Sequence, residues 1–67
     1  MKNNRKIEVG QVREVREPNT KLDGWLYVVT SFYFSSDQHE CMWLSGECVG
    51  EKVYFMDTEV EEDIVIM

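Results

Sequence analysis

The hydrophobic positions of this chain are densest in residues 25–34, which read Trp-Leu-Tyr-Val-Val-Thr-Ser-Phe-Tyr-Phe. Nearly all are β-branched or aromatic, a composition typical of a pleated strand. A strand with one solvated face alternates apolar and polar residues, and this segment does not. It is therefore either buried on both sides or carries an aromatic surface for a partner. With a period of two, one face carries Leu26, Val28, Thr30, Phe32 and Phe34, and the other carries Trp25, Tyr27, Val29, Ser31 and Tyr33.

The rest of the chain divides into shorter hydrophobic stretches separated by turn-forming residues. Gly10 interrupts the first of them and predicts a bulge or bend. The pattern predicts one all-β domain over residues 6–67, preceded by a flexible terminus at residues 1–5. The predicted elements are a strand at 7–15, a loop at 17–24, a strand at 25–34, a tight hairpin connection at 35–38, strands at 39–44 and 52–56, one 3₁₀ or helical turn at 57–63, and a closing strand at 64–67.

The register of the first hairpin decides which aromatic side chains share a face. The pattern allows Phe34 or Tyr33 to oppose His39, and in either register the two faces hold more apolar side chains than one small barrel can bury. One explanation is a strongly bent strand shared by both halves of a barrel. The other is an exposed patch of Trp, Tyr and Met side chains, which marks association sites.

The order of these elements resembles that of SH3-like β-barrels, in which a small sheet closes and hides most strand edges. It is similar to small barrels encoded by phages and prophages. The stretch Val9-Gly10-Gln11-Val12 is also similar to the opening of toxin-type PemK barrels. The chain lacks the Ala-Leu-Tyr-Asp-Tyr segment of peptide-binding SH3 domains, and Trp43 is not one of a pair. The resemblance thus implies a five-stranded SH3-like barrel and transfers no activity.

The charge of the chain is acidic and uneven. Its 67 residues contain 7 Lys and Arg against 13 Asp and Glu, for a net charge of −6. Six of the seven cations lie in residues 1–22, and Lys52 is the seventh. Non-specific binding to phosphate backbones needs cationic side chains, so this balance disfavours nucleic acid and favours basic partners.

No secretory signal or membrane-spanning segment is predicted, because the basic start runs directly into Ile-Glu-Val-Gly and no apolar run is long enough. The two cysteines are then expected to be reduced thiols. We predict a cytoplasmic protein without a membrane partner or a cofactor.

His39, Cys41 and Cys48 form the one arrangement that resembles a metal site. The first two project from the same strand face, and Asp37 or Glu47 could supply a fourth ligand. The second closely spaced pair of ligands that structural zinc sites use is missing, which favours small buried thiols. A catalytic cysteine–histidine pair would also need an orienting third group and a cleft. We therefore predict no metal site and no enzymatic activity.

The sequence favours a protein-interaction module, of the kind found among phage or mobile-element accessory proteins, that binds a basic protein surface. One alternative is a nucleic-acid-binding barrel that stacks bases on exposed aromatics and contacts phosphates through Arg5, Lys6, Arg13, Arg16 and Lys21. Another is a homodimer joined through residues 25–34. The predicted partner-binding residues are the aromatic anchors Trp25, Tyr27, Tyr33 and Trp43 and the acidic rim Glu59, Glu61, Glu62 and Asp63.

Overall fold

A computed structural model describes residues 6–67, and they fold into one antiparallel five-stranded sheet with a single short helix. The strand order across the sheet is β4-β3-β2-β1-β5. Within the described residues β4 and β5 do not pair, so the sheet is not closed into a barrel. The elements are β1 (Val12–Glu14), β2 (Leu26–Tyr33), β3 (Gln38–Trp43), β4 (Lys52–Met56), α1 (Asp57–Glu62) and β5 (Ile64–Val65).

The predicted mainly-β content and element order are confirmed, while the first strand is shorter than expected. β4 has the predicted bounds, and the helical turn before the last strand is α1. β1 begins only at Val12, because the chain turns at Gly10 and the Gln11 N–H donates to the Glu8 carbonyl (3.1 Å). The expected flexible terminus at residues 1–5 lies outside the described residues. No helix in residues 6–67 combines the length and apolar character needed to cross a membrane.

The first hairpin adopts neither predicted register. Phe32 opposes His39 and Tyr33 opposes Gln38, because the connection occupies residues 34–37. Near the middle of β2 the pairing shifts between Val29 and Ser31, which leaves an extra residue as a bulge. An extra residue moves the side chains that follow it to the opposite face of the strand. The bulge therefore explains why β2 does not alternate strictly between apolar and polar residues.

The bulge divides β2 into two halves. Before it, Tyr27 and Val29 point into the core and are fully buried. After it, Phe32 takes the inward side with His39, and Tyr33 turns to the outer face. The hydrophobic core gathers on one side of the sheet beneath α1. Its buried residues are Val15, Tyr27, Val29, Cys41, Trp43, Phe55 and Val60.

Candidate interaction surface

Two of the predicted aromatic anchors are core residues. Tyr27 is 0% exposed and Trp43 is 5% exposed. Their rings meet edge to face at 5.8 Å, and both contact Phe55, at 5.0 Å from Tyr27 and 5.9 Å from Trp43. Edge-to-face packing of buried rings stabilises a core beyond the area that it hides. The expectation that Tyr27 and Trp43 contact a partner is therefore wrong for this fold.

Trp25 is half-buried and packs against the core. Its ring meets Trp43 edge to face at 5.2 Å, and its indole lies directly over Gly46. A β-carbon at Gly46 would overlap this ring. The side chain is thus fixed by the loop between β3 and β4, and most of its surface is already used.

Asp63, predicted as part of an acidic rim, is 4% exposed and belongs to a buried polar network. Its carboxylate accepts the Tyr27 hydroxyl (2.6 Å) and the Arg16 backbone N–H (3.0 Å). The guanidinium of Arg13, 0% exposed, donates to the carbonyls of Val60 (2.8 Å) and Asp63 (3.2 Å). Hydrogen bonding of this kind is what allows polar groups to be buried. The network joins β1 and β2 to the end of α1.

The electrostatics of this network are dominated by burial. Burial raises the pKa of Asp63, against the opposing effects of the Tyr27 hydroxyl, the Arg16 N–H and the Arg13 charge. Burial and the hydrogen bond to Asp63 raise the pKa of Tyr27, so its hydroxyl stays protonated and remains a donor. Arg13 was not expected inside, because a charged side chain in a short strand ordinarily faces water. Arg13 shares the inward strand face with the core residue Val15, two positions later, but one buried valine gave no clear signal.

The other predicted acids lie on α1 and are exposed. Glu59 accepts the backbone N–H of Met56 (2.7 Å) and so caps the start of the helix, while Glu61 makes no such contact. Glu59 and Glu62 line an open cleft of about 320 Å³ together with Arg16. The acidic rim is therefore three exposed carboxylates (Glu59, Glu61 and Glu62), with Asp63 beneath them.

Tyr33 is the predicted anchor that does reach the surface, and it has a partner that the sequence did not single out. Tyr33 is 43% exposed and its ring lies 6.2 Å from that of Tyr54, which is 47% exposed. The Tyr33 hydroxyl donates to Glu40 (2.7 Å), which opposes Tyr54 across the β3–β4 pair. Met56, 44% exposed, completes the patch. We call Tyr33, Glu40, Tyr54 and Met56 the tyrosine surface.

The tyrosine surface lies on the side of the sheet opposite the core. Hydrogen bonds from Tyr33 and Thr30, together with the nearby Lys52 charge, lower the pKa of Glu40, so its carboxylate is ionised at neutral pH. Tyr54 could have been found from the segment 52–56, where it alternates with inward-facing Val53 and Phe55. The surface therefore presents two neighbouring, partly exposed phenol rings beside a negative charge that accepts the Tyr33 hydroxyl.

The residues predicted to contact nucleic acid differ in their exposure and in their partners. Arg13 is fully buried, so the expectation that it contacts phosphates is wrong. The Lys21 ammonium pairs with Glu47 (3.2 Å) on the surface. Lys6 and Arg16 are exposed, and Arg5 lies outside the described residues.

The structure does not assemble His39, Cys41 and Cys48 into a metal site. His39 pairs through Nε2 with Asp57, and the buried Cys41 thiol donates to the His39 carbonyl (3.7 Å). Cys48 packs partly buried against the core. Within residues 6–67 no three His, Cys, Asp or Glu side chains are grouped to hold a metal ion. Burial raises the pKa of Cys41 to about 12, so its thiol is not a nucleophile at neutral pH.

No family model matches this chain, and comparisons with curated proteins and with solved structures found no match.

Proposed function

We propose that this chain is a non-enzymatic interaction module that binds a basic segment of a partner protein at the tyrosine surface. The observation that carries the proposal is the Glu40 carboxylate, held beside the exposed rings of Tyr33 and Tyr54. A lysine or arginine side chain placed there would meet a phenol face and a negative charge together. A cation over an aromatic ring gains about 0.5–1 kcal/mol at exposed sites. A neighbouring carboxylate adds charge pairing to that gain.

The overall charge supports a basic partner. The net charge of −6 attracts cationic surfaces, and Lys52 is the single cation in residues 23–67. The absence of enzymatic activity is part of the proposal and is supported by the buried Cys41 thiol, whose raised pKa of about 12 keeps it protonated at neutral pH.

The finer fold assignment is also part of the proposal. An SH3-like arrangement is supported by the long first loop, the two hairpins and the short helix before a last strand that pairs with β1. A cytoplasmic location is supported by two cysteines that form no disulfide. Origin in a phage or mobile element stays a prediction.

Binding can be tested with two short fluorescent peptides of equal positive charge, one alternating Arg and Val and one helical and rich in Ala and Lys. Fluorescence anisotropy should show binding of at least one. Tyr33→Ala and Tyr54→Ala should each weaken binding roughly 10- to 30-fold, as expected for aromatic anchors.

Phe34→Ala is the matched control. Phe34 is 85% exposed, but it lies in the hairpin loop and its ring contacts Phe32 instead of the tyrosine surface. This variant should bind like the parent chain, and an alternating Glu and Val peptide should not bind. If neither basic peptide binds, or if the tyrosine variants bind as well as the parent, the proposal is wrong.

A further inference from the structure

The hydrogen-bond pattern of β4 shows which of its backbone groups are used by the sheet. The Trp43 N–H donates to the carbonyl of Glu51, immediately before β4 (3.0 Å). In an antiparallel pair, hydrogen-bonded residues alternate with residues whose backbone groups point the other way. With the observed β3–β4 register, Val53 and Phe55 are the next residues that bond to β3.

Lys52 and Tyr54 therefore direct their N–H and C=O groups toward the outer edge of β4. Within residues 6–67 no strand pairs with this edge. Met56 does not extend it, because its N–H donates to Glu59 (2.7 Å) and its carbonyl begins α1. The edge available for pairing is thus short and ends before Met56, whose N–H is already bonded to Glu59.

We infer that the partner binds as an extended basic segment that adds a strand to the β4 edge; this inference rests on the proposed function. An added strand takes its main-chain hydrogen bonds from Lys52 and Tyr54, and its alternate side chains fall beside the tyrosine surface. Cross-strand neighbours on one sheet face lie about 4.5–5.5 Å apart at their β-carbons. A cationic side chain opposite Tyr54 therefore lies against the phenol ring, and a lysine or arginine is long enough to extend across it toward Glu40 on β3.

Charge selects this occupant over a second copy of the chain. The exposed carboxylates of Glu51 and Glu59 flank the edge, with Lys52 as the single cation of β4. A basic segment is complementary to these two carboxylates and is opposed by the single charge of Lys52. A second copy would bring the same carboxylates together, on two chains that each carry a net charge of −6.

The test compares the alternating Arg and Val peptide with a version of it that is N-methylated at alternate amides. The methylated peptide keeps every side chain but loses main-chain hydrogen-bond donors. We expect N-methylation to weaken binding at least 10-fold. In the parent peptide complex, amide exchange of Lys52 and Tyr54 should slow at least 10-fold. Exchange at Val53 and Phe55 should change much less, because the β3 ladder already protects them.

Two variants of Lys52 provide the matched comparison on the protein side. Lys52→Ala and Lys52→Pro both remove the charge, but only proline removes the outward N–H, and β3 pairing does not use that group. Lys52→Pro should bind the peptide several-fold more weakly than Lys52→Ala. The thermal midpoints of both variants show that they are folded.

The outcomes distinguish a failure of strand addition from a failure of the proposed function. Equal binding of the methylated and unmethylated peptides, with binding still dependent on Tyr33, overturns strand addition and leaves the proposed function standing. If only the helical peptide binds, and its binding depends on the tyrosines, strand addition is likewise overturned and the proposed function stands. A concentration-dependent dimer in sedimentation that the peptide does not dissociate overturns the choice of occupant. Failure of both peptides to bind overturns both proposals.

Discussion

Replacing Gly46 by alanine tests whether the Trp25 ring closes the core as the structure places it. Gly46 and Gly50 lie in the same loop and both have a φ of 87°. A β-carbon at Gly46 would overlap the Trp25 indole, whereas one at Gly50 would meet nothing within 4 Å. The two positions therefore share the backbone cost of alanine and differ in the ring contact.

The magnitudes follow from these two terms. An L-residue in the left-handed region costs about 1–2 kcal/mol, and this cost applies to both variants. Inserting a methyl group into a packed site costs about 1–3 kcal/mol more, and this cost applies to Gly46→Ala alone. In a domain of this size, 1 kcal/mol lowers the thermal midpoint by roughly 4–8 °C.

Urea and thermal unfolding of both variants measure the difference. We expect Gly46→Ala to be less stable than Gly50→Ala by about 1–3 kcal/mol. In a Trp25→Ala background the two substitutions should cost the same, since the ring is gone. If the two variants are equally stable in the parent chain, the placement of Trp25 over Gly46 is refuted.

Three further predictions concern the buried side chains. Tyr27→Phe removes the hydroxyl that donates to Asp63 and should cost about 1.5–3 kcal/mol of unfolding free energy in urea titrations; a cost below about 0.5 kcal/mol would contradict the network. Because burial raises the pKa of Asp63 above its ordinary 3.8, the contribution of this group to stability is greatest below pH 3.8 and falls as the pH rises through the folded value. The free energy of unfolding of the parent, minus that of Asp63→Asn, should therefore be larger at pH 4 than at pH 7. If this difference instead grows with pH, the pKa of Asp63 is not raised in the folded chain. Cys41 should react with a thiol reagent only after unfolding, whereas the partly exposed Cys48 should react in the native chain; equal native rates would contradict the burial of Cys41.

The sequence predicted the strands best where β-branched and aromatic residues dominate. The bounds of β4 agree with the prediction, and β2 and β3 agree to within one residue at each end. The first strand was overextended, because alternation at Ile7 and Val9 continues through a turn that tertiary contacts impose. Local pattern also could not locate the bulge in β2, which depends on how β3 pairs with it.

The candidate site was predicted only in part, for a related reason. Tyr33 and the exposed acids of α1 were identified, while Tyr27 and Trp43 were assigned to the surface although they form the core. Composition shows that a chain has more aromatic residues than one strand face can hide, and the bulge in β2 decides which aromatic residues of that strand are hidden. Tyr54 was missed because its strand is short, and its significance comes from a neighbour on another strand.

The buried Arg13 guanidinium has a consequence for the order of folding. Its acceptors at Val60 and Asp63 lie 47 and 50 residues further along the chain. The hairpins of β2, β3 and β4 involve only neighbouring segments, whereas this arginine loses its hydration shell only when β1 meets the end of α1. Closing so long a loop is entropically costly. We therefore expect the β2–β3–β4 meander to form early and the docking of β1 to complete the transition, with Arg13 acting late along the folding pathway.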